Sequence, residues 1–283
     1  MTSVAVITVV HGRHSHLRAQ DATLALSTRT PDERVLVAMD DPAVLRWSPD
    51  APPEPLTVAI DRDPHGLPLA AARNAGAAAA VSAGAEVLVF LDVDCLVSPG
   101  LVEDYVEAVT TEPESLWCGP VTYLPPAPAG GYPSGGLEAW DSPHPARPAP
   151  APGERLRGGD PDLFWSLSFA VSRDAWERIG GFHEEYAGYG GEDTDFAHCA
   201  AAAGIGLGWT GGARAFHQHH RVQRPPVDHL DDILRNGSLF RRRWGRWPMT
   251  GWLEQFEQRG LVERRGDDWV RAGGPVRKVP DWV

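Results

Sequence analysis

Val87-Leu88-Val89-Phe90-Leu91-Asp92-Val93-Asp94 is the stretch on which the fold turns. Five consecutive apolar residues closed by acids are what a strand buried on both faces presents. Two carboxylates flanking one residue at a strand end can bind a hard divalent cation, whose preferred ligands are oxygens. Such a cation would neutralise a diphosphate. Alone, an Asp-x-Asp triplet is common by chance and reads equally well as a polar strand terminus.

The same pattern recurs on the N-terminal side. Val4–Val10 is a second apolar run, containing Thr8 and closed by His11-Gly12-Arg13. Residues 34–39 and Leu56–Ile60 are two more, closed by Asp40-Asp41 and by Asp61. Between them, residues 14–27, 67–83 and 99–109 have helical character, the second being Ala-rich. The alternation predicts an α/β domain with a mostly parallel, Rossmann-like sheet, helices on its faces and right-handed crossovers. Ligands bind beyond the strand C-termini of such sheets. His11, Arg13, Asp40, Asp41, Asp61, Asp92 and Asp94 are therefore expected around one crevice.

On the C-terminal side, residues 116–124 and 164–171 are strand-like, and 174–179 and 192–203 are helical. Between the strand-like runs, residues 125–162 are rich in Pro and Gly, which reads as a flap or insertion. From about residue 221 the chain is rich in Arg and Trp, and 231–244 looks helical. The expected division is a domain over 1–220 and a small C-terminal helical extension over 221–283.

Composition narrows the function. The 283 residues carry a net charge of −12, which disfavours nucleic acid as a general partner. Lys278 is the only lysine, so lysine chemistry is nearly excluded. Cys95, Cys118 and Cys199 form neither a disulfide framework nor a Cys-x-x-Cys zinc site, and fit core positions in a reduced cytosol. No apolar run reaches the roughly 18 residues of a membrane span, and the N-terminus lacks the features of an export signal. A soluble, cytoplasmic protein is expected.

Two further constellations carry chemistry. Tyr189-Gly190-Gly191-Glu192-Asp193-Thr194-Asp195-Phe196 places acids at a helix start, where the dipole and free N–H groups favour them. Capping explains one or two of those acids. It does not explain three of them with Gly190 and Gly191, whose lack of a side chain permits close approach to a ligand. A carboxylate here can serve as general base for a hydroxyl within reach. His217-Gln218-His219-His220 supplies imidazoles suited to transition metals, and an Asp pair with one His is a mixed set consistent with Mn²⁺. Arg73-Asn74 reads either as a partner for an acid or as a contact to a nucleotide phosphate. Gly204-Ile205-Gly206-Leu207-Gly208 follows a helix where a dinucleotide fingerprint follows the first strand, so it is discounted.

In order, these residues resemble the GT-A glycosyltransferases of family 2, with a C-terminal half similar to the β-1,4-galactosyltransferases. Thr8-Val9-Val10-His11-Gly12-Arg13 resembles the family's first-strand nucleotide loop, and Ala72-Arg73-Asn74-Ala75-Gly76 its Ala-Arg-Asn segment. Asp92-Val93-Asp94 resembles its DxD motif, and Gly190-Gly191-Glu192-Asp193 its acceptor motif. The His cluster stands in the place of the metal-binding His.

The resemblance implies a metal-dependent, inverting hexosyltransferase that moves a sugar from a nucleotide-diphosphate sugar to an acceptor hydroxyl. Donor binding falls to Thr8, His11, Arg13, Arg73, Asp92 and Asp94, with Asp40 or Asp41 on the nucleoside. Asp94, Asp92 and one of His217 or His220 hold Mn²⁺ or Mg²⁺. Asp193 is the base and Glu192 positions the acceptor beside Gly190 and Gly191. Trp165 either stacks on a sugar or sits in the core. The flap closes over the substrates. Arg241, Arg242, Arg243, Trp244, Arg246 and Trp247 pair with the acidic body, or else contact an anionic acceptor or a membrane periphery. Two other readings stand beside this one. A sugar-1-phosphate nucleotidyltransferase would ordinarily show a Gly-rich loop with Arg and Lys after the first strand, and only His11-Gly12-Arg13 stands there. The other is a non-catalytic sugar-nucleotide-binding module.

Overall fold

The computed structural model describes residues 2–221 and 223–273, and Lys278 lies outside them. The first half alternates as the sequence predicts: β1 (Val4–Val10), α1 (His14–Leu24), β2 (Glu33–Met39), β3 (Leu56–Ile60), α2 (Leu69–Ser82) and β4 (Val87–Leu91). Then follow β5 (Cys95–Val97), α3 (Leu101–Thr111), β6 (Ser115–Cys118), β7 (Val121–Tyr123), β8 (Arg155–Arg157) and β9 (Ser168–Ser172). The remainder is α4 (Arg173–Ile179), α5 (Glu192–Ala202), β10 (Gly206–Thr210), β11 (Ala215–His217), α6 (Leu230–Trp244), α7 (Thr250–Gln258), β12 (Val262–Arg265) and β13 (Asp268–Arg271).

The main sheet runs β3-β2-β1-β4-β9-β6-β10-β8. Its first four strands are parallel, β9 is antiparallel to both neighbours, β10 is parallel to β6, and β8 closes the edge antiparallel. Parallel pairing puts the ends of β1, β2, β3 and β4 along one rim, which is why residues after each strand can meet. Every residue of β1, β4 and β9 is buried. The apolar runs are continuous because α2 and α5 cover one face of these strands and α3 the other.

The Ala-rich sequence of α2 serves close packing. A Cβ at Gly76 would lie 2.5 Å from Ile7 Cγ2, so only glycine lets this helix approach β1 so nearly. One turn earlier, the approach delivers Arg73 to the rim.

Four expectations change. The run 116–124 is two strands, split at Gly119-Pro120. A Cβ at Gly119 would fall 1.7 Å from the Ala213 carbonyl oxygen, so the chain passes tightly there and β7 leaves for a second sheet, β5-β11-β7. The strand expected over 164–171 starts only at Ser168. The 125–162 segment is built into the fold: it contributes β8 and short 3₁₀ turns, and it buries Leu137 and Arg147. The C-terminal extension is not helical throughout. It packs α6, α7 and the β12–β13 hairpin around Leu230, Ile233, Trp247, Leu253, Phe256 and Trp269.

The tail arginines find partners in the chain. Arg241 pairs with Asp268, Arg246 with Asp162, and Arg243 with Asp195. Asp195 has no exposed surface and accepts from Arg243 Nε at 2.6 Å, Trp244 Nε1 at 2.6 Å and the Tyr186 hydroxyl at 3.2 Å. This acid therefore pins α6 to α5. Asp195→Ala leaves the indole N–H unpaired and a partly exposed cation without its partner. A loss of about 2–3 kcal/mol is expected from the urea midpoint. An unchanged midpoint would mean the junction does not depend on it.

Candidate active site

The metal-site candidate is assembled by strand pairing. β11 pairs antiparallel with β5, setting His217 opposite Cys95, the residue after Asp94. The Gln218 N–H donates to the Asp94 carbonyl at 2.7 Å and locks that register. The Asp94 carboxylate, His217 and His220 thereby present ligand atoms all within 4.8 Å of one another. His217 Nε2 is 3.4 Å from Asp94 Oδ1, and His220 Nε2 is 3.6 Å from Oδ2. Asp94 Oδ1 is buried without a hydrogen-bond donor. An orphaned carboxylate oxygen facing two imidazoles fits a divalent cation of the Mn²⁺ type. Burial and the nearby Arg13 charge lower the His220 pKa, favouring the neutral, ligating form.

Asp92 does not join this group. Its carboxylate is 3.1 Å from Arg73 Nη2, and Arg73 Nη1 is 3.3 Å from Glu192 Oε1. Arg73, expected on the diphosphate, is a buried clamp between the strand-end acid and the acceptor motif. These two motifs, about a hundred residues apart, share one guanidinium. His219 is exposed, and its N–H bonds the Tyr132 hydroxyl, so it stands outside the cluster.

The first-strand loop also resolves into separate roles. Thr8 is fully buried and bonds Gln20 and Arg34, which removes it from the crevice and from the donor role expected of it. His11 Nδ1 meets the Met39 carbonyl at 2.7 Å. Asp41 accepts from the Gly12 N–H at 2.8 Å and from His14 Nε2 at 2.7 Å, so it ties the loop to the end of β2. These bonds hold its carboxyl below the usual range although burial opposes them. Asp40 has an exposed side chain and a left-handed backbone, φ 48°. Of the two acids it is the one left open to a nucleoside. Arg13, also left-handed at φ 51°, reaches Asp94.

At the acceptor motif, Gly191 is the N-cap of α5 with φ 94°, a conformation that favours glycine. Gly190 has φ 88°, and a Cβ there would lie 2.8 Å from Met249 Sδ. The close neighbour of Gly190 in the fold is thus Met249 of the C-terminal extension. Glu192 is buried, and desolvation followed by repulsion from Asp193 raises its pKa to about 7. Desolvation raises Asp193 as well. Asp193 Oδ1 accepts from the Thr194 N–H at 2.7 Å, and its side chain is half-buried. It is the more accessible acid of the pair.

Sequence reading passed over several residues here. His16 is close enough to Asp94 and His220 for their charges to act on it, and its Nδ1 is buried without a partner. The run His11, His14, His16 was the signal. Tyr123 stacks 4.7 Å from His217, and His144 lies 5.1 Å from Trp165. Trp165 itself is half-buried beside the flap, not in the core.

Comparison with known proteins follows this geometry. Residues 46–139, spanning the Arg73 segment and Asp92-Val93-Asp94, match the glycosyl transferase family 2 model. Residues 162–234, spanning the acceptor motif and the His cluster, match a model described as the N-terminal domain of galactosyltransferase. A search of curated protein sequences finds no match. Among solved structures, the chain is similar to a crystal structure of GalNAc-T7 with UDP, GalNAc and Mn²⁺, at TM-score 0.53 and 16% identity. The similarity covers 78% of this chain and 44% of that one, so this chain spans less than half of its length.

Proposed function

We propose that this chain is a nucleotide-sugar glycosyltransferase, a reading supported by the two family models and the GT-A-like fold, and that it transfers a hexose with inversion, in a metal-dependent reaction, to an acceptor hydroxyl held at the 190–193 motif. The observation that carries the reading is the Arg73 bridge. It joins Asp92 beside the metal-site candidate to Glu192 beside the proposed base. Donor and acceptor machinery therefore share one crevice.

Asp94, His217 and His220 would hold Mn²⁺ or Mg²⁺, which when bound supplies charge stabilisation to the leaving diphosphate. Arg13 is placed to do the same from the rim. Asp40 contacts the nucleoside. Glu192, fixed by Arg73, orients the acceptor. Asp193 takes the proton of the acceptor hydroxyl as its oxygen bonds to the anomeric carbon. The bond from that carbon to the diphosphate oxygen breaks on the opposite face, and its electron pair leaves with the diphosphate. One displacement inverts the configuration. The three unpaired cysteines are consistent with a reducing cytoplasm, and no helix among the described residues is long and apolar enough to cross a membrane.

A thermal-shift screen of UDP-, GDP- and dTDP-sugars with and without Mn²⁺ tests the reading. At saturating donor one nucleotide class should raise the midpoint by roughly 5 °C, and only with metal. No shift with any donor would overturn it.

The raised carboxyl pair gives a pH prediction. Because the folded Glu192 pKa lies above its value of 4.5 in the unfolded chain, the unfolded state loses its proton first as pH rises. This group's contribution is therefore whole below about pH 4.5 and declines up to about pH 7, by at most about 1.4 kcal/mol per pH unit. Glu192→Gln should be more stable than wild type at pH 8 and no more stable at pH 4.5. Urea midpoints at the two pH values decide it, and equal differences at both would refute the burial argument. The rate of transfer in wild type should rise along a limb near pH 7 that belongs to the Glu192–Asp193 pair.

A further inference from the structure

Arg147 lies within the flap and is only 7% exposed. Its Nε, Nη1 and Nη2 are all buried with no hydrogen-bond acceptor among the described residues. The other two deeply buried arginines, Arg34 and Arg73, are each held by carboxylates. Arg147 instead lies between two indoles, 5.1 Å from the Trp165 ring centre and 4.7 Å from that of Trp209. Their π faces attract the cation but accept no hydrogen bond in its plane. The Cys118 thiol is close enough to interact with the guanidinium as a hydrogen-bond partner, yet sulfur is a weak acceptor and leaves most of the donors unmet. Trp209 Nε1 is also buried without a partner. Unmet donors thus gather in one region, with a desolvated positive charge among them. An unmet buried donor is costly, and more so when charged.

The position says what would meet them. Rings lead from the metal-site candidate to this cation: His217 to Tyr123 at 4.7 Å, Tyr123 to His144 at 5.6 Å, and His144 to Trp165 at 5.1 Å. Trp209 is in β10, four places along the sheet from β1, which carries the nucleotide loop. At about 4.8 Å per strand that is roughly 19 Å. The cation therefore stands well away from the first-strand loop expected to meet the nucleoside, on the side left for the acceptor by the transfer proposed above.

We propose that Arg147 and Trp209 Nε1 form an oxyanion subsite that reads a carboxylate or phosphate carried by the acceptor. Assignment to the acceptor rests on the sugar transfer proposed above. A planar guanidinium offers two parallel N–H groups to such an oxyanion, and the indole N–H adds a third donor. The His144 N–H donates to the Val121 carbonyl at 3.0 Å, which fixes this part of the segment to β7, the strand paired with β11 of the metal-site candidate.

Calorimetry on the full chain tests this with and without Mn²⁺ and UDP. Methyl glucuronide, methyl galacturonide and glucose 6-phosphate are compared with their neutral parents and with inorganic phosphate. At least one acid should bind tenfold or more tightly than its parent. Arg147→Met should erase that preference, leave UDP affinity unchanged and not lower the thermal midpoint, since it removes an unpaired buried charge. Trp209→Phe should weaken the acid several-fold and the neutral parent not at all. The subsite is overturned if no acid is preferred, if Arg147→Met keeps the preference, or if that variant melts several degrees lower. Inorganic phosphate binding as tightly as the sugar acids would overturn the acceptor assignment. Loss of UDP binding alone would count against sugar transfer and not against this subsite.

Discussion

Asp94→Ala should abolish metal-dependent nucleotide binding and lower the proposed transfer by at least about a thousandfold, a loss of roughly 4 kcal/mol of transition-state stabilisation. The cluster has one carboxylate and two imidazoles. Removing the acid leaves two imidazoles, which offer no negative charge to a hard divalent cation and hold it far more weakly. Arg13, which pairs with Asp94, would then be an uncompensated cation at the site. The fold should survive, because Gln218 is held by the backbone carbonyl of Asp94 and not by its side chain. Asp94→Asn, nearly isosteric, checks this. It should melt close to wild type and bind Mn²⁺ as poorly as the alanine variant. Calorimetric titration with Mn²⁺, then with UDP, provides the measurement. Wild-type affinity for the metal in Asp94→Ala would remove the site from consideration.

Asp193→Asn produces the complementary result. Metal-dependent nucleotide binding should stay at the wild-type level, and turnover should fall by about 10² to 10⁴ if the proposed proton acceptor is lost. Glu192 is buried and committed to Arg73, whereas Asp193 is half-buried with only Oδ1 bonded. Desolvation raises its proton affinity, which suits it to draw a proton from a hydroxyl. Nucleotide affinity and kcat, measured on the same preparation, separate the two roles. If turnover persists near the wild-type rate, the base is not Asp193, and Glu192 is the next residue to replace.

The two variants also distinguish the alternatives. A non-catalytic binding module would lose nucleotide in Asp94→Ala but would have no turnover for Asp193→Asn to remove. A nucleotidyltransferase would release pyrophosphate from a nucleoside triphosphate, and Asp193→Asn would have no reason to stop it.

Much of this was legible in the sequence. The apolar runs of β1, β2 and β4 identified strands buried on both faces, because burial of that kind needs nearly every residue to be apolar and so marks the chain locally, whereas β3 at the sheet edge reads the same and has no buried residue. The acids at strand ends and at the start of α5 were visible for the same reason. The flap was harder. Pro and Gly announced a loop but not the short β8 pairing with β10, which depends on a partner some fifty residues away. Gly190 was legible as a special position, yet the close neighbour turned out to be Met249.

The sequence alone determined that an α/β sheet presents two carboxylates at Asp92-Val93-Asp94 and an acidic helix start at 192–195. Only the tertiary structure decided how those groups divide. Pairing of β11 with β5 chose His217 and His220 over His219, and gave them Asp94 but not Asp92. The approach of α2 to the sheet gave Asp92 and Glu192 to Arg73, and the flap left Arg147 between two indoles. Burial is written into each segment's own composition. Partnership between charges depends on which distant segments packing brings within about 4 Å, and no local pattern records that distance.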